Sequence, residues 1–174
     1  MPTNTALTIQ ASFQQGPGAQ VIFGSNNISA PNTTACYLLL VVDRTDLNVV
    51  QNLWFWDNSD LQAALTPYIN NAQYMMILTT WGATTDNLPV GDFYNFLVSV
   101  GSGQQLQNLE QVYAALNCGY WSQFCYILVA TMDTGTPGFE YSAYQNTSNG
   151  LLACLTLMPI EVGGNLLWTP VANS

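Results

Sequence analysis

The side chains that carry charge near neutral pH in this 174-residue chain are ten carboxylates and one guanidinium, Arg44. Lysine and histidine do not occur. That removes most familiar chemistry: there is no imidazole base, no histidine metal ligand, no Schiff-base lysine and no set of cations to clamp a phosphate. Asp43 and Asp46 flank Arg44 in a segment that reads as a hairpin turn, where carboxylates accept backbone N–H bonds and pair with the local cation. Asp57 and Asp60 stand where a helix begins and cap its amides. Asp86 and Asp133 follow apolar runs of strand length, at the edge where open α/β sheets place ligands, although turn formation is the simpler reading. A calcium loop needs several oxygen ligands in one run, and Asp133-Thr134-Gly135 is only a fragment of one. Two opposed carboxylates can hydrolyse a glycoside, so a carboxylate-only hydrolase is the remote alternative.

Other catalytic patterns fail on inspection. Gly101-Ser102-Gly103 lacks a third glycine and follows a helical segment, unlike a dinucleotide loop. Serine nucleophiles lack both their strand-to-helix elbow and a base. The cysteines, Cys36, Cys118, Cys125 and Cys154, form no CxxC pair, so zinc is not indicated. Three of them open or sit near apolar runs, which suits buried free thiols; disulfides are the rival reading, with no basis for choosing a pairing. No cofactor and no metal is expected.

Aromatic residues carry the stronger signal. Trp54 and Trp56 alternate with Phe55, while Trp81, Trp121 and Trp168 fall at strand ends or in loops, with Tyr120 beside Trp121. Such rings either cap the core or, when exposed, stack on sugars and anchor protein partners. N-x-S/T triplets at Asn27, Asn32 and Asn146 fall in segments that read as loops, and chance explains them in so Asn-rich a chain.

The elements that must position these groups follow from periodicity. Leu7 to Phe13 alternates like a half-buried strand, Gly16-Pro17-Gly18 turns, and Gln20 to Phe23 resumes. Asn26 to Thr34 reads as a loop. Cys36 to Val42 is a continuous apolar run, hence a strand buried on both faces, and Leu47 to Trp56 is its hairpin partner. A helix follows at Leu61, Ala64, Leu65 and Tyr68, and a second buried strand at Gln73 to Thr80. Two more helices are expected, one over Phe93, Phe96, Leu97 and Val100, the other over Leu106, Leu109, Val112, Tyr113 and Leu116. Phe124 to Met132 is the third buried strand, Asp133 to Asn149 a polar loop, and Leu151 to Met158 and Leu166 to Val171 the closing strands. Strands alternating with helices imply crossovers and a mixed sheet, so the expected fold is α/β (α+β), with helices packed on that sheet and flanking antiparallel strands.

Composition bounds the partners. Hydrophobic residues make up 49% and charged residues 6%, against roughly 25% charged in ordinary domains. One domain over residues 1–174 is expected. A formal charge of −9 repels nucleic acid and anionic membranes. No run reaches the roughly 20 apolar residues of a bilayer span. The segment Met1-Pro2-Thr3-Asn4-Thr5 does not open a signal peptide, although an extracellular or surface-exposed setting is slightly favoured. A near-neutral surface suits contact with uncharged glycans or burial between copies of one chain.

The order of pieces resembles one known family. Tyr37-Leu38-Leu39-Leu40-Val41-Val42-Asp43-Arg44-Thr45, then Leu47-Asn48-Val49-Val50, is similar to the opening hairpin of the interleukin-like EMT inducer (PANDER) domain. Trp56-Asp57 occupies that family's aromatic-Asp place, Gly82-Ala83-Thr84 resembles its Gly-containing loop, and Tyr120 and Trp121 stand near the last core strand, Cys125 to Ala130. The resemblance covers residues 36–135. It implies a compact β-β-α sandwich without enzymatic activity, acting in secreted signalling or as a carbohydrate-binding accessory. The sugar-binding version carries Arg-Asp where this chain has Trp121-Ser122-Gln123, and Asp86 is the candidate for its acidic residue. The resulting expectation is a non-enzymatic module that binds glycan or protein through Trp81, Asp86, Asn87, Tyr120, Trp121 and Gln123. The alternative is a structural subunit of a coat, spike or fibre that works by self-assembly.

Overall fold

The computed structural model describes residues 5–13, 18–29, 37–56, 61–116, 123–133, 135–145, 150–162 and 165–170. Their strands are β1 (Leu7–Phe13), β2 (Gln20–Phe23), β3 (Asn26–Ser29), β4 (Tyr37–Asp43), β5 (Val49–Phe55), β6 (Tyr74–Thr80), β7 (Gln123–Thr131), β8 (Phe139–Gln145), β9 (Leu151–Val162) and β10 (Asn165–Pro170). The helices are α1 (Leu61–Leu65), α2 (Gly91–Ser99) and α3 (Gln104–Leu116), with one 3-10 turn at Thr85–Asn87.

These strands build two five-stranded sheets, β10-β9-β1-β2-β3 and β5-β4-β6-β7-β8. Strands β1 and β9 of the first sheet lie over β6, β7 and β8 of the second, and the helices cover the second sheet's other face. The layers therefore run sheet, sheet, helices. Within β7, Cys125, Ile127 and Val129 enter the intersheet core while Phe124, Tyr126, Leu128 and Ala130 enter the helix-side core. Strand β4 divides the same way, Leu38, Leu40 and Val42 against Tyr37, Leu39 and Val41. The period-two alternation of a strand thus supplies two cores at once. Tyr37 stacks on Phe55 at 5.1 Å, and Phe93 of α2 meets both rings edge-on. That aromatic trio holds the β4–β5 hairpin to the helix layer.

The fold is a β-rich α+β arrangement, and the expected mixed sheet is corrected: every ladder is antiparallel. The reason lies in the connections. Strands β5 and β6 do run in one direction with α1 between them, but β4 lies between the two in the sheet. Between β6 and β7 the chain makes two helices, not one, and returns to the end it left, so the strands pair antiparallel. Continuous apolar runs, a mark of parallel sheets with helices on both sides, arise here because a second sheet covers one face. An isolated parallel bridge joins Ser12 to Trp81 where the sheets meet, reinforced by the Gly82 N–H to Ser12 carbonyl bond at 2.9 Å.

Two expected loops are corrected as well. Asn26–Ser29 is an edge strand, and the segment after Asp133 contains β8, the opposite edge of the second sheet. Both escape a hydrophobic pattern because an edge strand can leave polar residues in solvent. Helix α1 is short, ending at Leu65 two residues before Pro67, and turns follow.

Candidate functional site

The residues singled out in the sequence separate into distinct environments. Trp81 directly follows β6, half-buried and packed against the intersheet core. Asp86 is exposed in the first turn of the 3-10 segment. Asn87 is buried: its side-chain oxygen accepts the Thr84 N–H (3.0 Å) and hydroxyl (3.1 Å), and its carbonyl oxygen accepts the Tyr37 hydroxyl. Gln123 opens β7, bridges Thr84, and is 4% exposed with no partner for Oε1 among the described residues. Asn87, Thr84 and Gln123 are therefore brought together, but as an interior knot. Tyr120 and Trp121 lie outside the described residues, as do Asp57, Asp60, Cys36, Cys118, Asn32 and Asn146.

Other groups are employed locally. The Asp43 carboxylate accepts the Thr45 N–H and hydroxyl and the Gln73 amide, and these bonds hold its pKa below the ordinary value. Asp46 accepts the Asn48 N–H and side-chain amide. Both are turn acceptors, as their spacing implies. Cys125 is a buried free thiol pushed up to about 12 by burial, whereas Cys154, expected inside, faces outward from β9 and is exposed.

A polar cluster that the sequence reading missed sits under the α2–α3 turn. Glu140 of β8 accepts the Tyr126 hydroxyl (2.5 Å), the Ser102 hydroxyl (2.7 Å) and the Gln105 N–H (3.2 Å). Its carboxylate thereby caps the start of α3 from another element, where negative charge is favoured. Burial first, then the Glu140 charge and hydrogen bond, raise the Tyr126 pKa far above the tyrosine range. Glycines set the distance: a Cβ on Gly101 would fall 2.2 Å from the Thr136 carbonyl oxygen, and the Gly138 N–H donates to Gly101. This cluster fastens layers together, and its nucleophile candidate, Ser102, is buried.

The opening with room for a guest lies elsewhere. At one end of the intersheet core a cavity of about 320 Å³ is lined by Arg44, Met75, Val129, Ala130, Thr131, Thr136, Pro137, Phe139, Ile160, Trp168 and Thr169. The β4–β5 turn brings Arg44, the ends of β6 and β7 bring Met75 and Thr131, and β9 and β10 bring Ile160 and Trp168. Arg44 Nη1 donates to the Ala72 carbonyl oxygen at 2.6 Å, and burial lowers the guanidinium pKa from its usual value. Trp168 is 7% exposed, and among the described residues neither its Nε1–H nor the Thr131 Oγ1 has a hydrogen-bond partner. Sequence spacing points to a turn role for Arg44 and leaves Trp168 open between core-capping and exposed stacking, because strand stacking alone brings the two to one cavity. Among the described residues no cluster of three or more His, Cys, Asp or Glu is placed to hold a metal.

No protein-family model matches the chain, and no curated protein sequence matches it.

Proposed function

We propose that the chain is a non-enzymatic binding module whose ligand is a small organic molecule seated in the cavity between Arg44 and Trp168. The observation that carries this reading is the make-up of the wall. It joins two aromatic rings, apolar side chains, three threonines and one guanidinium, and none of its residues is an Asp, Glu or Cys that could serve as base or nucleophile. The volume lies at the lower end of small-ligand sites. Glycan or protein recognition through the loop aromatics is the broader form of the same proposal. It has less support, since Asn87 and Gln123 are interior and only Asp86 of the described set is exposed. We keep the resemblance to the interleukin-like EMT inducer domain inside this proposal, because a layer order is shared by unrelated folds.

The test follows the Trp168 indole N–H by ¹H–¹⁵N NMR during titration with monosaccharides, short carboxylic acids and alcohols at millimolar concentration. A saturable shift at Trp168, with the exposed Trp56 unmoved, is the expected result. A Trp168 signal indifferent to the whole series removes the cavity as a binding site.

One observation favours a second reading, self-assembly. Ile22, Leu152 and Met158 stand exposed on the outer face of the first sheet. The registered rows Thr156-Thr8-Ile22-Asn27 and Cys154-Gln10-Gln20-Ser29 hold no charge. Light scattering after size exclusion decides it, since a monomer at about 100 μM, far above the affinities of stable complexes, excludes a stable assembly.

A further inference from the structure

We infer that the cavity selects a small monocarboxylate with an apolar body, an aryl- or alkyl-acid, and this rests on the binding reading above. The chain's single basic side chain lines the cavity, although the formal charge is −9 and the surface otherwise nearly free of cations. A guanidinium is planar and matches a carboxylate with parallel N–H bonds. A carboxylate offers acceptor sites alone, the complement of a group that can only donate. Sugar hydroxyls call in addition for strong acceptors, and no lining residue carries a carboxylate or amide side chain. The remaining wall, Met75, Val129, Phe139 and Ile160, fits a hydrocarbon or phenyl body.

The experiment titrates the full chain with phenylacetate and, separately, with 2-phenylethanol, reading the Trp168 indole resonance. Phenylacetate is expected to bind more tightly by about tenfold, a difference that one charge-assisted contact supplies. Arg44→Met, which keeps an apolar stem, is expected to bring phenylacetate down to the level of the alcohol. Equal affinities, or an Arg44→Met chain that still prefers phenylacetate, overturn the anion inference while leaving the cavity as a binding site. If neither probe moves Trp168, both readings fall. Should Arg44→Met not fold by circular dichroism, Arg44→Gln takes its place: loss of the preference for phenylacetate is expected, and a preference that persists counts against the inference.

Discussion

Removing the Glu140 side chain is expected to loosen the whole contact between helices and sheets. In the native cluster two hydroxyl protons, from Tyr126 and Ser102, point to one carboxylate, and the Gln105 N–H joins them. In Glu140→Ala the two hydroxyls, 2.6 Å apart, can bond only to each other. One hydroxyl proton and one helix-start N–H then lose their acceptor. Two hydrogen bonds to a charged group are worth about 1.5–3 kcal/mol each and the amide about 1 kcal/mol, with about 1 kcal/mol regained from the hydroxyl pair. The net expectation is a loss of about 3–6 kcal/mol, a large part of a typical domain's stability. Tyr126→Phe alone removes one donor and is expected to cost about 1.5–3 kcal/mol. Because both changes strike one network, the double variant should lose less than their sum. Urea unfolding at pH 7, followed by far-ultraviolet circular dichroism, gives all three values, and amide exchange at Gln105 reports the capped turn directly. A loss under about 1 kcal/mol for Glu140→Ala, with strictly additive effects, would show that the carboxylate does not tie α3 to β8.

The other predictions concern single groups. Tyr126 keeps its proton in the folded state past the ordinary tyrosine value near 10, while the unfolded chain releases it. The unfolded state then binds fewer protons, so stability is whole below about pH 10 and falls as pH rises beyond it; urea midpoints between pH 9 and 11 should drop less steeply in Tyr126→Phe. Iodoacetamide at pH 8, read by peptide mass spectrometry, should label exposed Cys154 in the native protein and spare Cys125, whose thiol is pushed up to about 12. Comparable labelling of both without denaturant would contradict the burial of Cys125. Gly101→Ala combines a φ of +107° with the clash against Thr136 and should destabilise by more than about 3 kcal/mol. Gly135→Ala has a φ of +87° in open space and should cost only about 1–2 kcal/mol. Thermal unfolding of the pair separates collision from backbone strain, and equal shifts would deny the contact.

How much of this was legible depends on where each residue's partner lies. Strands β4, β6 and β7 announce themselves because burial on both faces forces long apolar runs such as Phe124-Cys125-Tyr126-Ile127-Leu128-Val129-Ala130. The edge strands do not: Asn26 and Asn27 satisfy the solvent side of β3, and Glu140 and Ser142 bond to the α3 turn rather than fill a core. Sheet direction is not legible, because periodicity records burial and not which neighbour a crossover lands beside. Of the candidate site residues, Asn87 and Gln123 carry the polar types that surface loops favour, and only coordinates reveal that Thr84 and Tyr37 occupy Asn87. The cavity left no local mark, since Arg44 and Trp168 are joined through stacked sheets and not through nearby sequence.

The pairing of β1 with β9 sets Leu7 opposite Leu157, at nearly opposite ends of the described chain. During synthesis, then, the first strand must wait on the ribosome while most of the polypeptide emerges, its apolar side without its eventual covering. Helices and the central hairpin can gather early through short loops, but the outer layer closes last, at the entropic expense of a very long loop. A chain halted before residue 150 would leave open the β1 backbone edge that β9 covers, a ready template for a foreign strand, which makes premature termination an aggregation hazard for this topology in particular.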